Sequence, residues 1–225
     1  MVKFVVMSGY IKPIIWFFCL FYSISAFSVQ GKSRPLDVLV PDIIFDRLEY
    51  HLLPIPEIDS AYKYLEQAPL KSLTFVEGVL SEQSNNSKYN KTIHAHCYYL
   101  IGLINLKLNS YLEAANYLSK ARSYFDTSSK EYYLTTKPLA YTYELLNENR
   151  MALEYYQKVA IRSRSKKDTL GLIYANSGMA RVFQRQRKFK KARKLNIDNL
   201  KLQKENNDKK GYAFTSNSLG QISTQ

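Results

Sequence analysis

Glycine and proline are scarce in this chain. Eight glycines and seven prolines in 225 residues are about 7% of the sequence, against roughly 12% in average usage. That scarcity argues against a turn-rich all-β protein, a collagen-like helix and Pro/Gly-rich disorder. Two cysteines exclude a disulfide scaffold. Acidic residues are few, 19 against 32 Lys and Arg, giving a formal net charge of +13. No glycine-rich phosphate loop, nucleophile elbow or HExxH sequence occurs, so neither an enzyme nor a cofactor is expected. The hydrophobic content, 46%, is enough for a core, and the length suits one domain plus a targeting segment.

The targeting segment is expected over residues 1–28. Lys3 and Lys12 precede the apolar run Ile14–Tyr22, and Ala26-Phe27-Ser28 follows with small residues at the two positions a signal peptidase reads. This is the order of a secretory signal, with cleavage after Ser28. The run is short for a membrane span of roughly 20 residues, although Ile11 and Phe27 extend it toward an uncleaved anchor. Bulky Phe18 before Cys19 argues against a lipoprotein acceptor. Cleavage leaves Cys97 as a lone thiol, expected in the core as a small hydrophobe.

Beyond residue 90 apolar residues recur at helical spacing and the pattern repeats. Gly102, Ala140, Ala180 and Gly220 are 38, 40 and 40 residues apart, and Ala114, Ala152 and Ala192 each follow twelve residues after one of the first three. Between them lie Asn109-Ser110, Asn147-Glu148-Asn149 and Gln186-Arg187-Lys188. Lys167-Asp168-Thr169-Leu170-Gly171 reappears forty residues later as Asn207-Asp208-Lys209-Lys210-Gly211. Paired small residues let two antiparallel helices approach closely, and a period of this length means a stacked solenoid. Helix pairs are expected near 92–126, 131–164 and 169–205.

The stretch Tyr98-Tyr99-Leu100-Ile101-Gly102 to Tyr111-Leu112-Glu113-Ala114-Ala115, ending at Lys120-Ala121, resembles a tetratricopeptide repeat. The long period is similar to that of repeats in bacterial signalling proteins. The resemblance covers 91–225, as units 91–127, 129–165, 169–206 and a partial 208–225. It implies an all-α, right-handed superhelix of antiparallel helix pairs. The usual tryptophan and the closing proline are missing, Pro138 falls inside a first helix where it should bend the chain, and Asn196 and Asn199 occupy expected apolar positions. Residues 29–90 read as a divergent helical cap with helices at Asp42–Leu53, Pro56–Gln67 and Ser72–Ser84, bounded by Pro54, Pro56 and Pro69, followed by a polar loop at Ser81–Asn90. Two glycosylation sequons, at Asn85 and Asn90, carry weight only in a eukaryote.

His94, His96 and Cys97 invite a metal reading, but His96 leaves the face that His94 and Cys97 share, and two ligands are too few for zinc. No metal is expected. Glu144 and Glu148 read as a solvated helix face. The excess charge is concentrated: residues 161–210 hold 16 basic and 4 acidic groups. Such a field attracts anions, either an acidic polypeptide or a membrane surface. Export argues against nucleic acid, and the aromatic interleaving for single strands is thin.

Two functions compete. One is an exported, periplasmic or extracytoplasmic interaction module that binds a polypeptide of acidic or aromatic character in a groove lined by first helices. Its candidate anchors are Tyr99, Lys107, Tyr141, Tyr174, Arg181 and Arg185, because Tyr and Arg dominate interface energy. The other, implied by the resemblance, is the sensor region of a longer bacterial membrane protein, with a transmembrane helix followed by a diguanylate cyclase, histidine kinase or transcriptional output. The last helix, reaching Gly220 without a partner for Phe214, Leu219 or Ile222, is expected to stay open on its far side.

Overall fold

The computed structural model describes residues 55–82 and 89–223; the signal segment 1–28, the helix expected at Asp42–Leu53 and the Asn85 sequon lie outside them. Among the described residues there are nine helices and no strand: α1 (Pro56–Tyr64), α2 (Pro69–Glu82), α3 (Tyr89–Lys107), α4 (Tyr111–Ser123), α5 (Lys130–Leu145), α6 (Asn149–Lys166), α7 (Thr169–Arg185), α8 (Phe189–Glu205) and α9 (Lys209–Ser223). Each packs chiefly on its neighbours in sequence, so the described residues form an all-α solenoid of consecutive helix pairs. Of the loop expected at Ser81–Asn90, α2 takes in residues to Glu82 and α3 those from Tyr89.

The turns explain the period. Asn109, Asn147, Lys167, Arg187 and Asn207 all have φ between 55° and 60°. At each, the next residue's N–H donates five residues back, as Ser110 to Asn105 (2.9 Å) and Lys188 to Phe183 (2.8 Å). This left-handed closure satisfies carbonyls that a helix end leaves open. The last four of these residues are twenty apart, so a helix plus its turn is a twenty-residue module. Where the helix after the turn begins with Asp168 or Asp208, the carboxylate accepts the N–H of Gly171 or Gly211, both at 2.9 Å. The α4–α5 connection differs. Ser129 caps α5 by accepting the Tyr132 N–H at 3.0 Å, and the Arg162 guanidinium of α6 donates to the carbonyls of Ser128 and Ser129.

The expected small residues do sit at helix crossings: Gly102, Ala114, Ala140, Ala152, Ala180 and Ala192 are all buried. A Cβ on Gly102 would lie 2.5 Å from Leu118 Cγ. Gly220 is different, for it is exposed and has no atom within 4 Å of where a Cβ would stand. A closer approach occurs at Gly178, whose missing side chain leaves room for the ring of Tyr156. Ile222 is buried against the helices that precede α9, in a cluster with Ala180 and Ala192 flanked by Phe183, Phe189 and Leu195.

Pro138 does not interrupt α5, which runs unbroken from Lys130 to Leu145. Its turn is braced by side chains: Thr142 Oγ1 donates to the Pro138 carbonyl (2.7 Å), Thr136 Oγ1 to Tyr132 (2.6 Å), and Tyr174 OH of α7 to Lys137 (2.8 Å). Asn196 and Asn199 are both buried. Asn199 donates to the Ile173 carbonyl (3.1 Å) and Ser177 Oγ (2.9 Å), and accepts from Asn176 (3.0 Å), so this crossing is held by polar contacts.

Candidate functional site

First helices α1, α3, α5 and α7 touch one another in succession, and second helices make no comparable contact among the described residues. The first helices therefore form the tighter side of the stack. On this side the six expected anchors divide. Tyr99 and Tyr174 lie in the core at 0% and 4% exposure and have almost no surface for a partner. The helical stripe that carries them turns into the stack because the small residues draw the helices close. Lys107 forms an ion pair with Glu66 at 2.5 Å. Tyr141 is half-buried and packs on the core. Arg181 and Arg185 both face Glu144.

Glu144 was the misread residue. Glu148 lies past the left-handed Asn147, at the N-cap of α6, so the two acids share no helix face. Glu144 stands at the end of α5 at 4% exposure. Its Oε1 accepts from Arg181 Nε (2.8 Å) and Arg185 Nη1 (3.5 Å), and its Oε2 from Arg181 Nη2 (2.8 Å) and Tyr156 OH (2.6 Å). Four donors from α6 and α7 fill the acceptor sites of one carboxylate. Burial is the largest influence on its acidity and pushes the pKa up, but the Arg181 charge, the Arg181 and Tyr156 hydrogen bonds and the Arg185 charge outweigh it and hold the pKa below the ordinary value. Burial, helped by Glu144, raises the Tyr156 phenol. Arg181 is thus committed to Glu144, and the arrangement is a lock between repeats. The only trace in the sequence is that an acid ends one first helix and two arginines end the next.

Away from the lock, α5, α6 and α7 border a half-open cleft of about 630 Å³, lined by Lys130, Tyr133, Leu134, Lys137, Arg162, Lys166, Asp168, Leu170 and Gly171. Lys130, Leu134 and Lys137 lie on one face of α5, and Arg162 and Lys166 one turn apart on α6. Four cations meet one acid here. Asp168 Oδ2 accepts from Tyr133 OH at 2.7 Å, while its Oδ1 holds the Gly171 N–H. Lys130, Arg162 and Lys166 were not among the expected anchors, although Arg162 and Lys166 lie in the basic stretch 161–210.

The rest of the basic segment faces outward. Lys190, Lys191, Arg193, Lys194, Lys201 and Lys204 of α8 are exposed. His96 Nδ1 donates to the Thr92 carbonyl at 2.7 Å, and its ring stands edge-on to Phe125. His94 stacks on Tyr98. Cys97 is buried, and burial pushes its thiol pKa up to about 12.

No family model matches the chain, and no curated protein is significantly similar to it. Among the described residues no helix is long and apolar enough to cross a membrane.

Proposed function

We propose that the chain is an exported, non-catalytic interaction module of tetratricopeptide-repeat type that binds a polypeptide along the side formed by its first helices. The observation that carries this reading is the stack itself: twenty-residue helix-and-turn modules with first helices in succession along one side. Such solenoids use an extended inner face for binding. Of the six anchors, Tyr141, Lys107 and Arg185 keep surface there, with side chains of Lys107 and Arg185 exposed by 22% and 29%. The acidic character of the partner follows from the excess of basic groups between residues 161 and 210. Export rests on the order of basic, apolar and small residues before residue 29.

A photo-crosslinking residue placed at position 141, and in a second variant at position 193 on the outer side of α8, tests the assignment in the full chain. Crosslinks to a polypeptide from 141 and none from 193 are expected. Crosslinks confined to 193 would refute the assignment to the inner side. Cell fractionation tests the export: recovery of unprocessed chain in the cytoplasmic fraction alone would overturn that part.

A further inference from the structure

The cavity between α5, α6 and α7 has the chemistry of a binding site, and it is separate from the Glu144 lock. Its volume, about 630 Å³, falls in the range of small-molecule sites, roughly 300–1,000 Å³. Its wall has two characters. Lys130, Lys137, Arg162 and Lys166 supply positive charge, whereas the Tyr133 ring, Leu134 and Leu170 supply apolar surface. The charge is distributed in depth: Lys137 is 5% exposed, and Lys166 is open to solvent. Leu170, 57% exposed, is an apolar side chain on the same lining.

Two features bear on what enters. The only acid in the lining, Asp168, accepts hydrogen bonds at both carboxylate oxygens, from the Gly171 N–H and Tyr133 OH, and so serves the start of α7. Arg162 is held by the carbonyls of Ser128 and Ser129. A cation fixed before a ligand arrives loses little entropy on binding. We propose that this cavity binds a small organic dianion, a phosphate monoester or a dicarboxylate, with an apolar body against Leu134, Leu170 and the Tyr133 ring. A half-open cleft of this volume between three helices suits a small molecule, whose apolar body the Leu134 and Leu170 side chains can flank. The exposed basic face of α8 carries comparable charge without such a cleft.

Titration calorimetry on the full chain provides the test, with phenyl phosphate and phthalate as probes and inorganic phosphate and benzyl alcohol as references. Saturable one-to-one binding of phenyl phosphate or phthalate is expected, tighter than inorganic phosphate, with none for benzyl alcohol. The better of the two probes identifies the acid group. Lys166→Gln should weaken binding about tenfold, the worth of roughly one charge-assisted contact. Leu170→Ala should weaken the aromatic probes and leave inorganic phosphate unchanged. Both positions are exposed, and an unaltered helical circular dichroism spectrum verifies each fold. Lys191→Gln with Lys194→Gln, on the face of α8, should have no effect. The proposal is overturned if no probe saturates, if the α8 variant weakens binding as much as Lys166→Gln, or if only a polyglutamate peptide binds.

Discussion

Glu144→Ala removes the carboxylate on which four donors converge. It strands Tyr156 OH in the core and leaves two guanidinium groups without the charge they face. Removing one partner of a buried ion pair costs about 3–5 kcal/mol, because the other charge stays desolvated. Arg181 and Arg185 keep 13% and 29% side-chain exposure, so water recovers part of that cost and the lower end, about 3 kcal/mol, applies. For a chain of this size that corresponds to a fall in Tm of roughly 6–12 °C. Thermal unfolding followed by circular dichroism at neutral pH is the assay. The double variant Glu144→Leu, Arg181→Met replaces much of the pair with apolar volume and should recover at least half of the loss. A pH series gives an independent reading. The folded Glu144 pKa is depressed, so its contribution is complete above the unfolded value of about 4.5 and is lost as pH falls through the lower folded pKa. Glu144→Gln should therefore flatten the acid limb of the stability curve. A loss under about 1 kcal/mol, the scale of a surface pair, with an unchanged acid limb, would refute the lock.

Gly178→Ala should destabilise the chain by about 2–3 kcal/mol in denaturant titration, since the new methyl meets the Tyr156 ring and overpacking of a tight crossing costs this much. Lys167→Gly and Arg187→Gly should each raise stability by about 0.5–1 kcal/mol in the same titration, because both residues hold a left-handed conformation that glycine adopts without penalty. Cys97 should resist a thiol reagent at pH 8 in the folded chain and react on denaturation, as burial holds its pKa at about 12.

Much of the fold was legible because its determinants are local. Helix starts at Asp168 and Asp208, small residues at crossings and turn residues at fixed offsets all recur in the chain itself. Pro138 was legible as a residue inside a first helix, but the bonds around it, from Thr142 on the same helix and Tyr174 on the next first helix, depend on tertiary packing. Gly178 was missed since its partner ring stands on another helix and the repeat places its small residue at Ala180. The candidate site was less legible for the same reason. Arg181 and Arg185 were recognised as basic residues of a first helix, but whether a cation faces a ligand or a carboxylate depends on which helix lies opposite. Lys130 and Lys137 join Arg162 and Lys166 only when α5 and α6 run antiparallel.

The Glu144 lock also bears on cooperativity. In a stack whose modules touch only their neighbours, stability is close to a sum of module and interface terms, and ends can fray independently. Glu144 joins α5 to α7 across one helix pair, with Tyr156 of α6 between them. It acts as a coupling bond that makes α5–α7 rise or fall together. Amide exchange should therefore be slowest and most uniform over these three helices, with α1–α2 and α9 opening as separate, weaker units.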